Sequence, residues 1–123
     1  MELNEVTSKI IGCAIVVHKT LGPGLFESAY EECLSFELRL AGLKIERQVP
    51  VPVCYRGAKL DCGYRIDILV EDSVIIELKS AEAFNPVYET QILTYLKFSN
   101  KKLGLLINFN VALLKQGLKK YIL

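Results

Sequence analysis

Tryptophan is absent from the 123-residue chain, and histidine occurs once, as His18. A single histidine leaves few imidazole ligands for zinc, and the four cysteines form no CxxC pair, so a zinc enzyme such as a deaminase is disfavoured. An excess of either charge is also missing, because 15 basic and 14 acidic residues give a net charge of +1. The chain therefore lacks the basic excess of a protein that coats nucleic acid, and any contact with a polyanion must come from a local patch.

Long apolar runs are absent too. The N-terminal segment MELNEVTSKIIGCAIVV carries Glu2 and Glu5 and has no basic stretch before its short apolar run, which is unlike a signal peptide or a membrane span. All four cysteines fall within apolar patterns, at Cys13, Cys33, Cys54 and Cys62. Such a setting is typical of reduced, partly buried thiols. We therefore expect a cytoplasmic protein, and the length predicts a single domain over residues 1–123.

Two amphipathic helices open the chain. We expect Asn4 to cap the first helix, which runs to about Thr20 and stops at a glycine-proline corner over 22–24. The second helix is predicted over 26–40, with Gly42 as the stop signal after it. The two helices form an αα unit.

The hydrophobic period changes to two at Ile45. We expect an edge strand that carries two prolines, a turn at 56–57, and a second, long strand through Val70. A polar turn over 71–73 then leads into a third strand, 74–79.

The C-terminal third of the chain continues with one helix and two strands. Asn85 and Pro86 have the chemistry of an N-cap and a first helical position, and they open a helix to about Phe98. The apolar run 103–109 predicts an interior strand, and the tail predicts a turn or short helix before a last strand from about Leu118. The order ααβββαββ predicts an α/β fold with a mixed β-sheet flanked by helices.

The third strand, VIIELKS, contains two charged residues, Glu77 and Lys79, in an apolar run. Burying a charge is costly unless it is paired, hydrogen-bonded or bound to a metal. Alternation places Ile75 with these two residues on one face of the strand. A solvated strand face, a structural ion pair and part of a catalytic centre are the three interpretations.

Asp67 on the preceding strand favours the catalytic interpretation. A three-residue turn pairs Val70 with Val74, and counting back puts Asp67 opposite Glu77, with Cβ atoms ~5 Å apart. Ile66, Ile68 and Val70 are expected to face the core together. Two carboxylates so placed repel each other unless a cation lies between them, and a hard divalent ion such as Mg²⁺ removes the conflict.

Three segments carry a resemblance to a known family. Asp67, nine intervening residues and Glu77-Leu78-Lys79 resemble the D…(D/E)XK core of the PD-(D/E)XK nuclease superfamily. The segment 24–30, GLFESAY, reads GxxExxY, the signature of the GxxExxY protein family within that superfamily. The segment 91–95 is similar to the QxxxY helix motif of RecB-like nucleases. The resemblance covers about Ile10 to the C-terminus and implies a restriction-endonuclease-like core.

The resemblance implies a metal site and its roles. Asp67 and Glu77 would ligate Mg²⁺ or Mn²⁺, with Glu27 as a further ligand or proton acceptor and the Leu78 carbonyl as a backbone ligand. Lys79 would orient or activate the attacking water and stabilise negative charge at the phosphate. The reaction would be metal-assisted phosphodiester hydrolysis.

Three more residues are expected to bind substrate. Gln91 and Tyr95 lie four apart on one helical face, so both point to a single site, where the resemblance implies that they position Lys79 or the phosphate. Tyr30 is expected to pack with its hydroxyl near the site. Glu31 is an alternative acidic residue, although we expect it to be a surface charge.

Two functions from different classes follow. The first is a metal-dependent nuclease, with DNA expected ahead of RNA. The second is a non-cleaving module that binds nucleic acid or a partner protein. Such a module could form a homodimer through an edge strand or the N-terminal helices. Tyr88, Tyr95 and Phe98 either stack bases or pack in the core. The candidate basic positions are Arg56, Lys59, Arg65, Lys97, Lys101 and Lys102.

Overall fold

The computed structural model describes all residues, 1–123. Its helices are α1 (Leu3–Leu21), α2 (Glu27–Leu40) and α3 (Pro86–Ser99), and a 3-10 turn covers Leu114–Gly117. Its strands are β1 (Ile45–Pro50), β2 (Val53–Tyr55), β3 (Ala58–Leu60), β4 (Arg65–Val70), β5 (Val74–Lys79), β6 (Leu103–Asn108) and β7 (Leu118–Ile122). None of the helices is both long and apolar enough to cross a membrane.

Five of the strands form one mixed sheet in the order β1-β4-β5-β6-β7. The β5–β6 pair is parallel and the other pairs are antiparallel, so α3 serves as the crossover that a parallel pair requires. β1 lies at an edge and β6 in the interior, as the prolines and the apolar run predict. For this sheet the predicted order ααβββαββ and the α/β fold class are confirmed.

Each face of the sheet has its own core. The α2-side core joins α1 and α2 to one face through buried residues that include Ile10, Tyr30, Leu34, Ile68, Val70, Ile76 and Leu105. The α3-side core joins α3 to the other face through Ile66, Leu69, Ile75, Ile92, Tyr95, Leu96 and Leu106. Gly104 on β6 lets α3 approach closely, because a Cβ there would meet Ile92 Cδ1 at 2.9 Å.

Two helix starts test the predicted caps. Asn85 caps α3 as expected, since its side chain accepts a hydrogen bond from the Val87 N–H at 3.0 Å. Asn4 does not cap α1: the helix begins two residues earlier than that cap would set it, with Glu2 at the N-cap position and Asn4 inside the first turn. A helix start without a side-chain cap leaves no sequence signal to find.

Both predicted strands on either side of the turn at 56–57 are interrupted: the first divides into β1 and β2, and the long second strand divides into β3 and β4. The segment between Val51 and Tyr64 forms a separate two-stranded hairpin, β2–β3, whose turn at 56–57 agrees with the prediction. A backbone hydrogen bond from the Val51 N–H to the Tyr64 carbonyl, 3.0 Å, closes the base of this hairpin. Cys54 and Cys62 lie on or beside it and are exposed, so the expectation that they are partly buried is wrong.

Strands β1 and β4 switch the faces to which their side chains point. In β1, Arg47 points to α2, where it pairs with acidic side chains, whereas Val49 packs against the α3-side core. In β4, Ile68 belongs to the α2-side core and Ile66 to the α3-side core. The prediction that Ile66 shares its face with Ile68 is therefore wrong.

The switch occurs at Gln48 on β1 and Asp67 on β4. The strand register pairs the residues on either side of these two but leaves Gln48 and Asp67 themselves unpaired. Gln48 has φ of 51°, in the left-handed region, which costs a residue other than glycine of order 1 kcal/mol. The break in the pleat places Asp67 where side chains from both faces of the sheet can reach it.

Candidate metal centre

The β4–β5 hairpin brings the two predicted carboxylates together. Glu71 and Asp72 both have positive φ, and the Ser73 N–H donates to the Val70 carbonyl at 3.0 Å, which are the features of a tight hairpin turn. Val70 pairs with Val74, so the predicted register is confirmed. The paired positions stop at Ile68–Ile76, one residue before Asp67 and Glu77.

Asp67 and Glu77 then bond to each other's strand through their side chains. Glu77 Oε1 accepts the Asp67 N–H at 3.0 Å, and Asp67 Oδ2 accepts the Leu78 N–H at 2.8 Å. Two backbone donors are thus satisfied by carboxylates instead of carbonyls. The side-chain oxygens lie between the strands at the point where the ladder ends.

The environment of these carboxylates opposes their ionisation. Glu77 is only 3% exposed, and burial followed by the charge of Asp67 raises its pKa to about 9. Burial also raises the pKa of Asp67, while the Leu78 N–H and the charge of Lys79 counteract the rise. A carboxylate pair of this kind holds a proton at neutral pH until another cation replaces it.

Lys79 is positioned by α3. Its Nζ donates to Gln91 Oε1 at 3.3 Å and lies 4.7 Å from the centre of the Tyr88 ring. Gln91 Nε2 donates to the Tyr95 hydroxyl at 3.0 Å, which turns the amide oxygen toward the lysine. Burial raises the pKa of Tyr95, so its phenol stays protonated. Gln91 and Tyr95 thus point to one site, as their spacing predicts.

The segment before α2 is tied to the end of β5. Ser80 Oγ donates to the Leu25 carbonyl at 2.6 Å, and the Tyr30 hydroxyl donates to the Gly22 carbonyl at 2.6 Å. Tyr30 is fully buried and stacks on Phe109 with ring centres 4.4 Å apart. Its expected role in substrate binding is therefore replaced by a structural one, because it holds the loop before α2.

The two acidic candidates of α2 differ in their surroundings. Glu27 is exposed at the first position of α2, and its negative charge makes a small contribution to the raised pKa of Glu77. Glu31, expected as a surface charge, has a side chain only 12% exposed and accepts two hydrogen bonds from Arg47, at 3.0 and 2.8 Å. That expectation is wrong, because Arg47 draws the side chain against β1.

Gln48 connects Glu31 to the metal-site candidate Asp67. Its Nε2 donates to Glu31 Oε1 at 2.8 Å and to Asp67 Oδ1 at 3.4 Å. No sequence pattern indicates Gln48, because a left-handed residue within a strand leaves no signature unless it is glycine. Asn108 was also missed; it is 1% exposed and exchanges two hydrogen bonds with the Ala81 backbone just beyond Lys79. An amide within the apolar run of β6 is a signal that could have indicated it.

The donor set fits a divalent ion held by two carboxylates. No group of three or more aspartate, glutamate, histidine or cysteine side chains is placed to hold a metal, so Glu27 does not complete a cluster with Asp67 and Glu77. Mg²⁺ normally binds through one or two carboxylates, with waters and substrate phosphate completing its shell. Asp67 and Glu77 are compatible with that mode of binding once the ion replaces the proton that they hold.

An aspartate, a glutamate and a lysine at the end of two neighbouring strands, in a mixed sheet with helices on both faces, define a restriction-endonuclease-like α/β protein. The chain belongs to the PD-(D/E)XK nuclease superfamily, whose family model matches residues 4–121. Nucleases of this superfamily generally use divalent metal ions. Neither a curated protein nor a solved structure gives a significant match to the chain.

Proposed function

We propose that the chain is an active, divalent-metal-dependent nuclease of the GxxExxY, RecB-like type, which hydrolyses phosphodiester bonds in DNA in preference to RNA. The observation that carries the proposal is the reciprocal bonding of Asp67 and Glu77 across two strands, with Lys79 beside them. Two interior strands have no structural need for a buried pair of carboxylates that repel each other where their ladder ends. The four free cysteines fit the reducing cytoplasm as its compartment.

Asp67 and Glu77 would hold Mg²⁺ or Mn²⁺, and the Leu78 carbonyl is a third candidate ligand. The N–H and C=O of one strand residue point to the same neighbouring strand, so the Leu78 carbonyl is directed toward the opening that its N–H shares with Asp67. Glu27 would act from the exposed start of α2 through water or as a proton acceptor. When bound, the ion would polarise the phosphate and lower the pKa of the attacking water.

Lys79 would supply the positive charge that the phosphate needs as negative charge develops on it. Its Nζ is held by the Gln91 amide, which in turn is fixed by Tyr95, so the ammonium has a defined position before substrate arrives. Such fixed charges are worth most when they need no rearrangement during reaction. Gln91 and Tyr95 are therefore positioning residues for Lys79.

The proposal is tested by incubating the purified chain with single- and double-stranded DNA and RNA in Mg²⁺, Mn²⁺ or EDTA. We expect cleavage with either metal, none in EDTA, and losses of about 10²-fold or more for Asp67→Ala, Glu77→Gln and Lys79→Ala. Glu46→Gln and Lys120→Ala are matched controls, because both side chains are exposed on strands outside the site, β1 and β7. Cleavage that survives all three site substitutions would overturn the assignment.

A non-cleaving module that binds nucleic acid or a protein is the second candidate function. It is favoured by the exposed position of Glu27, which leaves only two clustered carboxylates, and by the net charge of +1. Binding of nucleic acid without metal-dependent cleavage in the same assay would select this alternative.

A further inference from the structure

An open groove of about 310 Å³ lies beside Lys79 on the α3 side of the sheet. Tyr64 and Tyr88 line it together with Lys79 and Gln91, and the hydroxyl-bearing Thr90 and Thr94 follow along α3. The groove is therefore continuous with the proposed catalytic residues. Its lining combines aromatic rings with one ammonium group.

Tyr64 offers a fixed aromatic surface to this groove. Its carbonyl accepts hydrogen bonds from the Val51 N–H at 3.0 Å and from Arg65 Nη1 at 2.9 Å, so its backbone is held from two sides. Its ring meets the buried Tyr95 ring edge-on, with centres 5.7 Å apart and planes at 76°. Tyr64 nevertheless remains 36% exposed, although its ring is large and apolar. A rigid ring that stays accessible is suited to stacking.

Tyr88 couples the groove to the ammonium group. Lys79 Nζ lies 4.7 Å from the centre of its ring, within the range of a cation–π contact. A nucleotide presents the complementary chemistry, since its base has a flat π-face and its phosphate is negative. A groove with this pair of features matches one nucleotide of a strand better than an uncharged apolar ligand.

We propose that the groove is a nucleobase-stacking subsite, which holds a base next to the scissile phosphate and directs the enzyme to unpaired strands. The proposal rests on the proposed nuclease function and adds that the preferred substrate is an unpaired strand. A base inside a duplex is stacked on its neighbours and must leave the helix before a protein ring can stack on it. A single strand, or a frayed end, offers its bases without that cost.

The absence of tryptophan from the chain provides a direct reporter. Tyr64→Trp introduces a single tryptophan into the groove, and its emission is followed in EDTA, where metal-dependent cleavage does not proceed. We expect a short single-stranded DNA to quench this emission, a blunt duplex of the same sequence to quench it much less, and an abasic nucleotide at one position of the strand to remove the quenching. Tyr55→Trp is the matched control, because Tyr55 is a 60% exposed tyrosine on β2 that does not line the groove.

Affinity gives the second readout. Tyr64→Ala should weaken binding of the single strand by about 5- to 150-fold, the range for loss of one stacked base, whereas Tyr64→Phe should retain it. Thermal unfolding of both variants verifies that they fold. If Tyr64→Ala does not fold, the quenching of the tryptophan in Tyr64→Trp still decides the test.

Two outcomes overturn the proposal in distinguishable ways. If the anisotropy of a labelled strand reports binding while the introduced tryptophan is unquenched, or is quenched equally by duplex, the stacking subsite is wrong and the nuclease assignment stands. If no nucleic acid binds in any arm and no cleavage occurs with metal, both the subsite and the proposed function fail.

Discussion

Gln48 and Asp67 face each other across β1 and β4 at the position where neither residue pairs in the sheet, and the Gln48 amide donates to Asp67 Oδ1 at 3.4 Å. The same amide donates to Glu31 at 2.8 Å, so it lies between a proposed metal ligand and a second acid. An amide can separate two carboxylates by donating to both. Gln48 therefore orients Asp67 while keeping Glu31 at a distance.

Replacing Gln48 should weaken metal binding. Because partners that orient metal ligands typically contribute 10- to 100-fold in affinity or activity, we expect Gln48→Ala to raise the Mn²⁺ concentration for half-maximal cleavage by about 10-fold or more. Gln116→Ala is the control, since Gln116 is an exposed glutamine in the C-terminal segment. Equal metal dependence in the two variants would exclude a positioning role for Gln48.

Gln48→Gly should separate strain from function. Glycine adopts positive φ without strain, so we expect Gln48→Gly to have a free energy of unfolding up to about 1 kcal/mol higher than that of Gln48→Ala. Both variants should lose metal affinity to the same extent. Urea unfolding and metal titration of the two variants measure the two effects. A glycine variant that is less stable than the alanine variant would contradict the strain at this position.

The metal-free protein should lose stability as pH rises. The pKa of Glu77 is raised from 4.5 to about 9 on folding, so the folded chain holds a proton that the unfolded chain releases. The resulting stabilisation is complete below 4.5 and is lost as pH approaches about 9, with a slope of up to about 1.4 kcal/mol per pH unit.

Urea unfolding in EDTA over this pH range measures that slope. Glu77→Gln should flatten it, leaving the smaller contribution of Asp67, whose pKa is raised in the same direction. Glu46→Gln should keep the wild-type slope, because Glu46 is exposed on β1. Parallel curves for all three proteins would show that Glu77 does not hold the proton.

Metal binding should depend on pH in the opposite sense. A cation can occupy the site only when the carboxylate pair gives up its proton, so Mn²⁺ affinity should rise with pH up to about 9, with release of about one proton per ion near neutral pH. Calorimetry in two buffers of different ionisation enthalpy counts the released protons. Binding without any proton release would mean that both carboxylates are already ionised.

Tyr30→Phe tests the structural role of that hydroxyl. Its bonds to the Gly22 carbonyl and from the Leu25 N–H are lost, and we expect a decrease of about 1–3 kcal/mol in the free energy of unfolding. The KM for substrate should change little. A large change in KM at unchanged stability would instead restore Tyr30 as a substrate-binding residue.

The parts of the fold that sequence predicts are those set by local chemistry. Asn85 with its following proline fixes the start of α3, and the polar turn after Val70 fixes the register of β4 and β5. The spacing of Gln91 and Tyr95 likewise predicts that both reach one site, because a helix imposes its period on them.

The missed features depend on contacts between distant segments. The face switch at Asp67 requires Gln48 on another strand to leave the β region, and no rule of alternation within one strand contains that information. Glu31 is drawn inward by Arg47, sixteen residues away, so its surroundings are invisible in its own helix. The sequence predicts β2 as a continuation of β1 and β3 as a continuation of β4, because nothing in the local alternation indicates that the β2–β3 hairpin leaves the main sheet.

The carboxylates of Asp67 and Glu77 accept hydrogen bonds from backbone N–H groups that could otherwise extend the pairing of β4 and β5 by one residue pair. The two side chains keep β4 and β5 apart beyond the Ile68–Ile76 pair, because their oxygens compete with backbone carbonyls for these N–H donors. A metal ion would bind the same oxygen atoms. Metal binding and the hydrogen bonds to the two backbone N–H groups therefore compete for one set of carboxylate oxygens. Amide protons of Asp67 and Leu78 therefore report on both, and their exchange with solvent is where occupancy of the centre becomes visible in the backbone.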